Sequence, residues 1–292
     1  MKRLLFILQI GLFIAMNFFL LQAIYEIAVP LQAAHNSSKG SPQYNSDEEY
    51  DPSLNRLNSV SAFMAYCDSQ YAVTAAAGQG IFENHYPKLV QEVVRKRFYH
   101  GYSHYGPGNN HLASLVSKFT ISGLSAIVIP DDILKFPYAA CSQQSLVLMK
   151  VLQKKGFKTR KVALSGKTGG HFCIEVYYKG AWHFIDADME PDFALLDAYN
   201  MPSIAFLAAR PDVLQQAYKQ YPKEQVLDLF SNYSYGKVNA PAAPRAYPFQ
   251  KVTQFLSYTL WSFFLLAFIW VRKKYLRLSH QPYVRHCRVH LP

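Results

Sequence analysis

The stretch that decides the fold is residues 141–186, CSQQSLVLMKVLQKKGFKTRKVALSGKTGGHFCIEVYYKGAWHFID. Residues 142–155 carry an apolar stripe at helical spacing, Leu146, Leu148, Met149 and Leu152. Gly156 then reads as a C-terminal cap, with Lys154 and Lys155 in the last turn. Residues 158–164 read as a strand and 165–170 as a turn-rich loop. Residues 171–178 and 181–186 read as two more strands, joined by Lys179-Gly180 as a two-residue hairpin turn. Helix, strand, strand, strand is an α+β order.

Three residues of this stretch can carry chemistry. Cys141 stands just before the helix, where unpaired N–H groups and a partial positive charge stabilise negative charge on sulfur. The same N–H groups can hold an oxyanion. His171 opens the second strand and Asp186 closes the third, so a hairpin turning at Lys179-Gly180 brings them to one edge. Alternation puts His171, Cys173 and Glu175 on one face of their strand, and Trp182, Phe184 and Asp186 on one face of theirs. An imidazole beside a carboxylate, facing a primed thiol, is a nucleophile, base and orienter set. Asp188 is the understudy for Asp186 should the strand end two residues later.

These residues resemble the transglutaminase-like superfamily, relatives of the papain-like cysteine peptidases. The resemblance rests on a cysteine beginning a helix, the phrase His171-Phe-Cys-Ile-Glu175-Val176, and Trp182-His-Phe-Ile-Asp186, over residues 136–192. It implies a papain/transglutaminase-like core of the bacterial membrane-anchored type. Cys141 is then the nucleophile, His171 the general base and acid, and Asp186 the orienter. The sequence departs from the family at Cys173, where a large aromatic is common, and in having no glutamine just upstream of Cys141. Tyr138, Gln143, Gln144 and Trp182 are the candidates for oxyanion or substrate contacts. No cofactor and no metal are expected.

Other readings of the same residues are weaker. A zinc site from Cys141, His171, Cys173 and His183 fails on parity, because His183 alternates away from Asp186. Asp188, Glu190 and Asp192 lack the fuller ligand set and bend glycine of a calcium loop. Gly166-Lys167-Thr168 lacks the first glycine of a phosphate-binding loop, since Lys161 occupies its place. There is no Gly-x-Ser-x-Gly elbow. Asn36-Ser-Ser38 and Asn232-Tyr-Ser234 are glycosylation sequons only in a eukaryote.

Outward from this stretch, residues 56–236 read as one globular domain. Its first half is helical at 62–77 and 87–98, and an aromatic, glycine-rich loop at 98–111 can line a site. Residues 26–55 read as a linker and 237–251 as an extended, proline-rich tether. Residues 4–24, within an anchor at 1–25, and residues 252–271 are uncharged runs long enough to span a bilayer. The length of the first favours an uncleaved anchor over a signal peptide, and Leu31-Gln32-Ala33 is a poor cleavage site. Trp261 and Trp270 suit membrane interfaces, and a basic tail, 272–292, follows.

The 292 residues carry a net charge of +11. Lys2, Arg3, Arg272, Lys273, Lys274, Arg277, Arg285 and Arg288 lie at the two ends, which leaves 22 basic against 19 acidic residues between them. The charge flanks apolar runs, a membrane pattern that excludes nucleic acid as the partner. It places both termini in the cytoplasm and the domain on the extracytoplasmic side. Half the residues are apolar and 17% are charged, which excludes a disordered chain. Four cysteines exclude a disulfide-dense scaffold, and leave open whether Cys67 and Cys173 pair.

The expected function is a membrane-anchored Cys-His-Asp thiol acyl-transfer enzyme, a peptidase, amidase or transglutaminase-type activity on peptides or proteins of the cell envelope. The alternative is a non-catalytic binding or assembly module of the same fold in an envelope or exopolysaccharide system.

Overall fold

Four strands form one antiparallel sheet in the order β3-β2-β1-β4, from β1 (Lys158–Ser165), β2 (Gly170–Tyr178), β3 (Ala181–Ile185) and β4 (Tyr233–Tyr235). The computed structural model describes residues 1–29, 42–78, 81–119, 123–167, 169–241 and 243–280. Leu31-Gln32-Ala33, the Asn36 sequon, Thr168, Cys287 and the end of the basic tail lie outside the described residues.

The β2–β3 hairpin turns at Lys179-Gly180, both at positive φ, as a two-residue loop of this hand requires. Ile174 pairs with Ile185 and Glu175 with Phe184. This register puts the two faces of β2 into separate cores. Ile174, Val176 and Tyr178 join α2 (Val60–Ala76), α3 (Phe82–Arg97) and α6 (Cys141–Lys154) on one side. Cys173 joins Val162, Leu164 and Phe184 on the other, under α7 (Phe193–Ala198), α8 (Ile204–Ala209), α9 (Pro211–Ala217) and α10 (Lys223–Ser231). Two short helices, α4 (His111–Phe119) and α5 (Pro130–Ile133), precede α6. The α+β class and the helix–strand–strand–strand order match the expectation, and the helices on both faces of the sheet are an addition to it.

Two helices are long and apolar enough to cross a membrane, α1 (Lys2–Ala28) and α11 (Ala246–Ser279). They pack antiparallel along their length, through Phe6 against Tyr275, Phe13 against Phe268, and Phe19 stacked on Phe264.

Two connecting segments differ from expectation. Part of the expected linker is built into the domain: Asp51 N–H donates to Lys96 O, and Tyr44 and Tyr50 pack on Tyr99. The proline-rich stretch is likewise pinned. Asn239 pairs with Thr159 through both its backbone N–H and its side-chain oxygen, and α11 already begins at Ala246. Proline in the first turn of a helix costs nothing there, so Pro248 does not delay it.

Candidate active site

Cys141 is the first residue of α6, after Ala140 at the cap. The helix starts there because Gln143, three residues into it, is buried and wholly committed. Its Nε2 donates to Ser103 O and Ile127 O, both at 2.8 Å, and its Oε1 accepts from Ser103 N–H at 3.0 Å and Ala140 N–H at 3.3 Å. The helix's first turn lies over the end of β2, where Ser145 Oγ donates to Phe172 O at 3.0 Å.

His171 and Asp186 share the sheet face that Cys173 and Phe184 occupy. His171 Nε2 is 3.0 Å from Asp186 Oδ2, and both side chains are buried. Asp186 Oδ2 also accepts from the Tyr218 hydroxyl at 3.0 Å, while Oδ1 accepts from the N–H groups of Asp188 and Met189. With Nε2 on Asp186, Nδ1 faces the other way. The Cys141 sulfur, a His171 ring nitrogen and an Asp188 carboxylate oxygen all lie within 4.8 Å of one another. Asp188 Oδ2 is 4.0 Å from His171 Nδ1.

The charges follow from these neighbours. Burial opposes protonation of His171, but the Asp186 carboxylate, and after it negative charge on the Cys141 sulfur, outweigh it and hold the imidazolium well above its ordinary range. Burial likewise opposes ionisation of Asp186, yet His171, the Met189 N–H and the Tyr218 hydroxyl bring its carboxyl below the ordinary value. An imidazolium–carboxylate pair is the consistent state. Burial raises the other two thiols, Cys67 to about 12 and Cys173 well above its ordinary value. All three described cysteines are free thiols, with Cys67 and Cys173 in cores on opposite sides of the sheet.

Of the further candidates, Gln144 reaches the cluster, donating to Asp188 Oδ1 at 2.9 Å. Gln143 is adjacent but spends its amide on loop carbonyls and N–H groups, so it has no donor for a substrate. Tyr138 is buried between Tyr99 and Phe136. Trp182 is corrected out of the site: it pairs with Tyr177, six residues along β2 from His171, or about 20 Å at strand rise. There it stacks on the Arg160 guanidinium. His183, of the zinc reading, packs on Tyr178 and hydrogen-bonds Met201 O at 2.7 Å, away from Cys141. At Gly166-Lys167 the turn is capped by Asp228, which accepts from Lys167 N–H, so an acid sits where a phosphate would.

Four site residues escaped the sequence reading in whole or part. His100, from the 98–111 loop, binds Asp188 Oδ1 at 3.0 Å, and its backbone N–H donates to Glu48. Tyr218 caps Asp186 from α9's end. Asp188, held as a substitute for Asp186, instead joins it from the Nδ1 side. Lys161 lies near enough to Cys141 to feel its charge, while burial lowers the ammonium's own pKa. His100 had a weak signal in its aromatic loop; Tyr218 had none, standing 32 residues beyond Asp186 in an ordinary helical run.

A cleft of about 620 Å³ opens onto His171. Asp47, Glu48, Asp188 and Glu190 line it together with His100, and no Lys or Arg is among its described lining residues. A smaller cavity of about 120 Å³ abuts the first turn of α6, between Tyr102, Ser142, Leu146, Met149 and Lys161. Cys141, His171 and Asp188 also present three donor atoms of the kind zinc takes.

No family model, no curated protein and no solved structure matches this chain.

Proposed function

We propose that the chain is a thiol acyl-transfer enzyme acting on amide bonds of peptides or proteins, anchored by α1 and α11. The observation that carries this is the His171 ring, held by Asp186 at 3.0 Å through Nε2 with its opposite edge toward Cys141. In the reacting form the Cys141 proton is already on His171 Nδ1, completing the imidazolium, and the Sγ thiolate attacks the amide carbon. The carbonyl oxygen becomes an oxyanion. In the first turn the N–H groups of Gln143 and Gln144 are taken by Ala140 O, which leaves those of Cys141 and Ser142 to receive it. The C–N bond then breaks, and His171 gives its proton to the departing amine. Water or a second amine attacks the thioester and releases Cys141. Asp186 holds the ring so that Nδ1 is the nitrogen that exchanges protons.

The basic flanks of both apolar helices support a domain on the extracytoplasmic side with both termini in the cytoplasm. Peptides or proteins of the cell envelope are then the substrates within reach. The test is labelling by a thiol-directed activity probe. Wild type labels, Cys141→Ala does not, and His171→Ala labels at a strongly reduced rate. Equal labelling of all three overturns the reading.

A second reading comes from the convergence of Cys141, His171 and Asp188, which suits one zinc ion. Stoichiometric zinc in the purified chain, lost in Asp188→Ala, would favour it.

A further inference from the structure

Helix α4 turns part of its apolar stripe outward. Leu112, Leu115, Val116 and Phe119 fall at i, i+3, i+4 and i+7, an apolar stripe that in a globular domain faces the core. Here His111, Ala113 and Ser114 are buried instead, while Leu115 is 48% and Phe119 80% exposed. Leu112 and Val116 are half-buried, so the outward part of the stripe is Leu115 and Phe119, two large apolar side chains one turn apart, which calls for a cover.

The position of α4 says what covers that stripe. His111, at its start, is fastened to α1: its N–H and Nδ1 both meet Glu26 Oε1, at 2.7 and 2.6 Å, and its ring stacks on Phe19. Just before it, Asn110 Nδ2 donates to Gln250 O of α11 at 3.1 Å, and Gln22 of α1 donates to Pro107 O. The far end is tied to the same height. Ser125 Oγ donates to Ser117 at 3.2 Å, and the carbonyls flanking Ser125, those of Leu124 and Ala126, accept from Gln250 Nε2. Of the four buried residues on α11, Gln250, Thr253 and Ser257 lie at or just inside the start of its uncharged run, and Val271 lies at the far end. The domain therefore grips the two apolar helices where that run begins. The neighbouring outward faces of the helices, Leu21, Val252 and Phe255, are themselves more than half exposed and apolar.

We propose that α4 is an interfacial helix, lying in the boundary between headgroups and acyl chains with Leu115 and Phe119 inserted among lipids. The partner is the bilayer surface itself. This rests on α1 and α11 spanning a membrane, and the experiment separates the two claims. The full chain is reconstituted in phosphatidylcholine vesicles, with or without lipids brominated near the top of the acyl chain, and tryptophan emission is recorded. In wild type, quenching of Trp261 and Trp270 reports that α11 is in the bilayer. In a Trp261→Phe/Trp270→Phe background, Phe119→Trp and Leu115→Trp are compared with that background, in which Trp182 alone remains. The expected result is a loss of roughly half the added emission at both positions, with no quenching of Trp182. Quenched wild type with unquenched positions 115 and 119 overturns the interfacial helix and leaves the spans standing. An unquenched wild type overturns both.

Discussion

Asp186 divides its two oxygens between tasks, one to His171 and Tyr218 and one to backbone N–H groups that fix its own rotamer. Removing the carboxylate altogether strands a buried imidazole, so Asp186→Ala is expected to cost about 3–5 kcal/mol in stability, checked by urea unfolding. Asp186→Asn keeps the shape but presents an amide that can donate where the carboxylate only accepts. It is expected to lower turnover by roughly 10³–10⁴-fold with little change in fold. The pH dependence has a definite sign. His171 is raised in the folded chain, so its contribution is complete below its ordinary 6.5 and fades as pH rises through the folded value. Asp186 is lowered, so its contribution is present above its ordinary 3.8 and is lost as pH falls through the folded value. The Tm gap between wild type and Asp186→Asn is therefore widest between pH 3.8 and 6.5 and narrows on both sides. Alkylation offers a second check. Iodoacetamide near neutral pH should modify Cys141 and spare Cys67 and Cys173, since both are buried with raised thiols. Reagent charge should also matter, because the cleft carries four acids. A cationic methanethiosulfonate should react at Cys141 about ten-fold faster than an anionic one, and added salt should shrink the ratio. The pairing of His171 with Asp186 was legible because a two-residue hairpin turn converts spacing directly into adjacency, and Cys141 was legible as the residue that opens a helix. Tyr218 and His100 were not, because they arrive by tertiary packing that no local period announces.

At the scale of elements, the first turn of α6 and the 98–111 loop are one unit through Gln143. Its amide satisfies two buried carbonyls and two N–H groups, so Gln143→Leu leaves several polar groups orphaned at once. A loss of about 3 kcal/mol is expected by thermal unfolding, with activity falling further than stability because Cys141 is two residues away. From sequence, Gln143 was a candidate for binding substrate, since a polar residue in the first turn of a helix can face either way. Only the loop wrapped around it decides. The strands and the α6 helix were readable from period and turn chemistry. The packing of residues 42–51 was not, because a polar, proline-bearing stretch has the composition of a linker whether or not tyrosines such as Tyr44 and Tyr50 find a partner in Tyr99.

For the whole molecule, domain and apolar helices share buried polar contacts that neither can satisfy alone. Gln250 holds Leu124, Ala126 and Val128, and Glu26 holds His111. A truncated chain of residues 42–245 loses all of them and uncovers apolar surface. It should melt well below the full chain and aggregate at concentrations where the full chain in detergent stays monodisperse, as scanning fluorimetry and light scattering would show. The sequence distinguished the two apolar runs clearly, yet gave no sign that the domain is bolted to them, since a glutamine two residues before a span looks like solvent-facing punctuation. That bolt has a kinetic consequence. A catalyst on a loose leash sweeps a hemisphere and meets targets arriving from any direction. With Gln250 at one end of a chain of amide contacts and Gln143 at the other, the Cys141 sulfur is held at a set distance from the start of α11. For the proposed membrane-anchored enzyme, encounters would then be governed by lateral diffusion in a thin layer, and a scissile bond at the wrong elevation would escape however abundant it is.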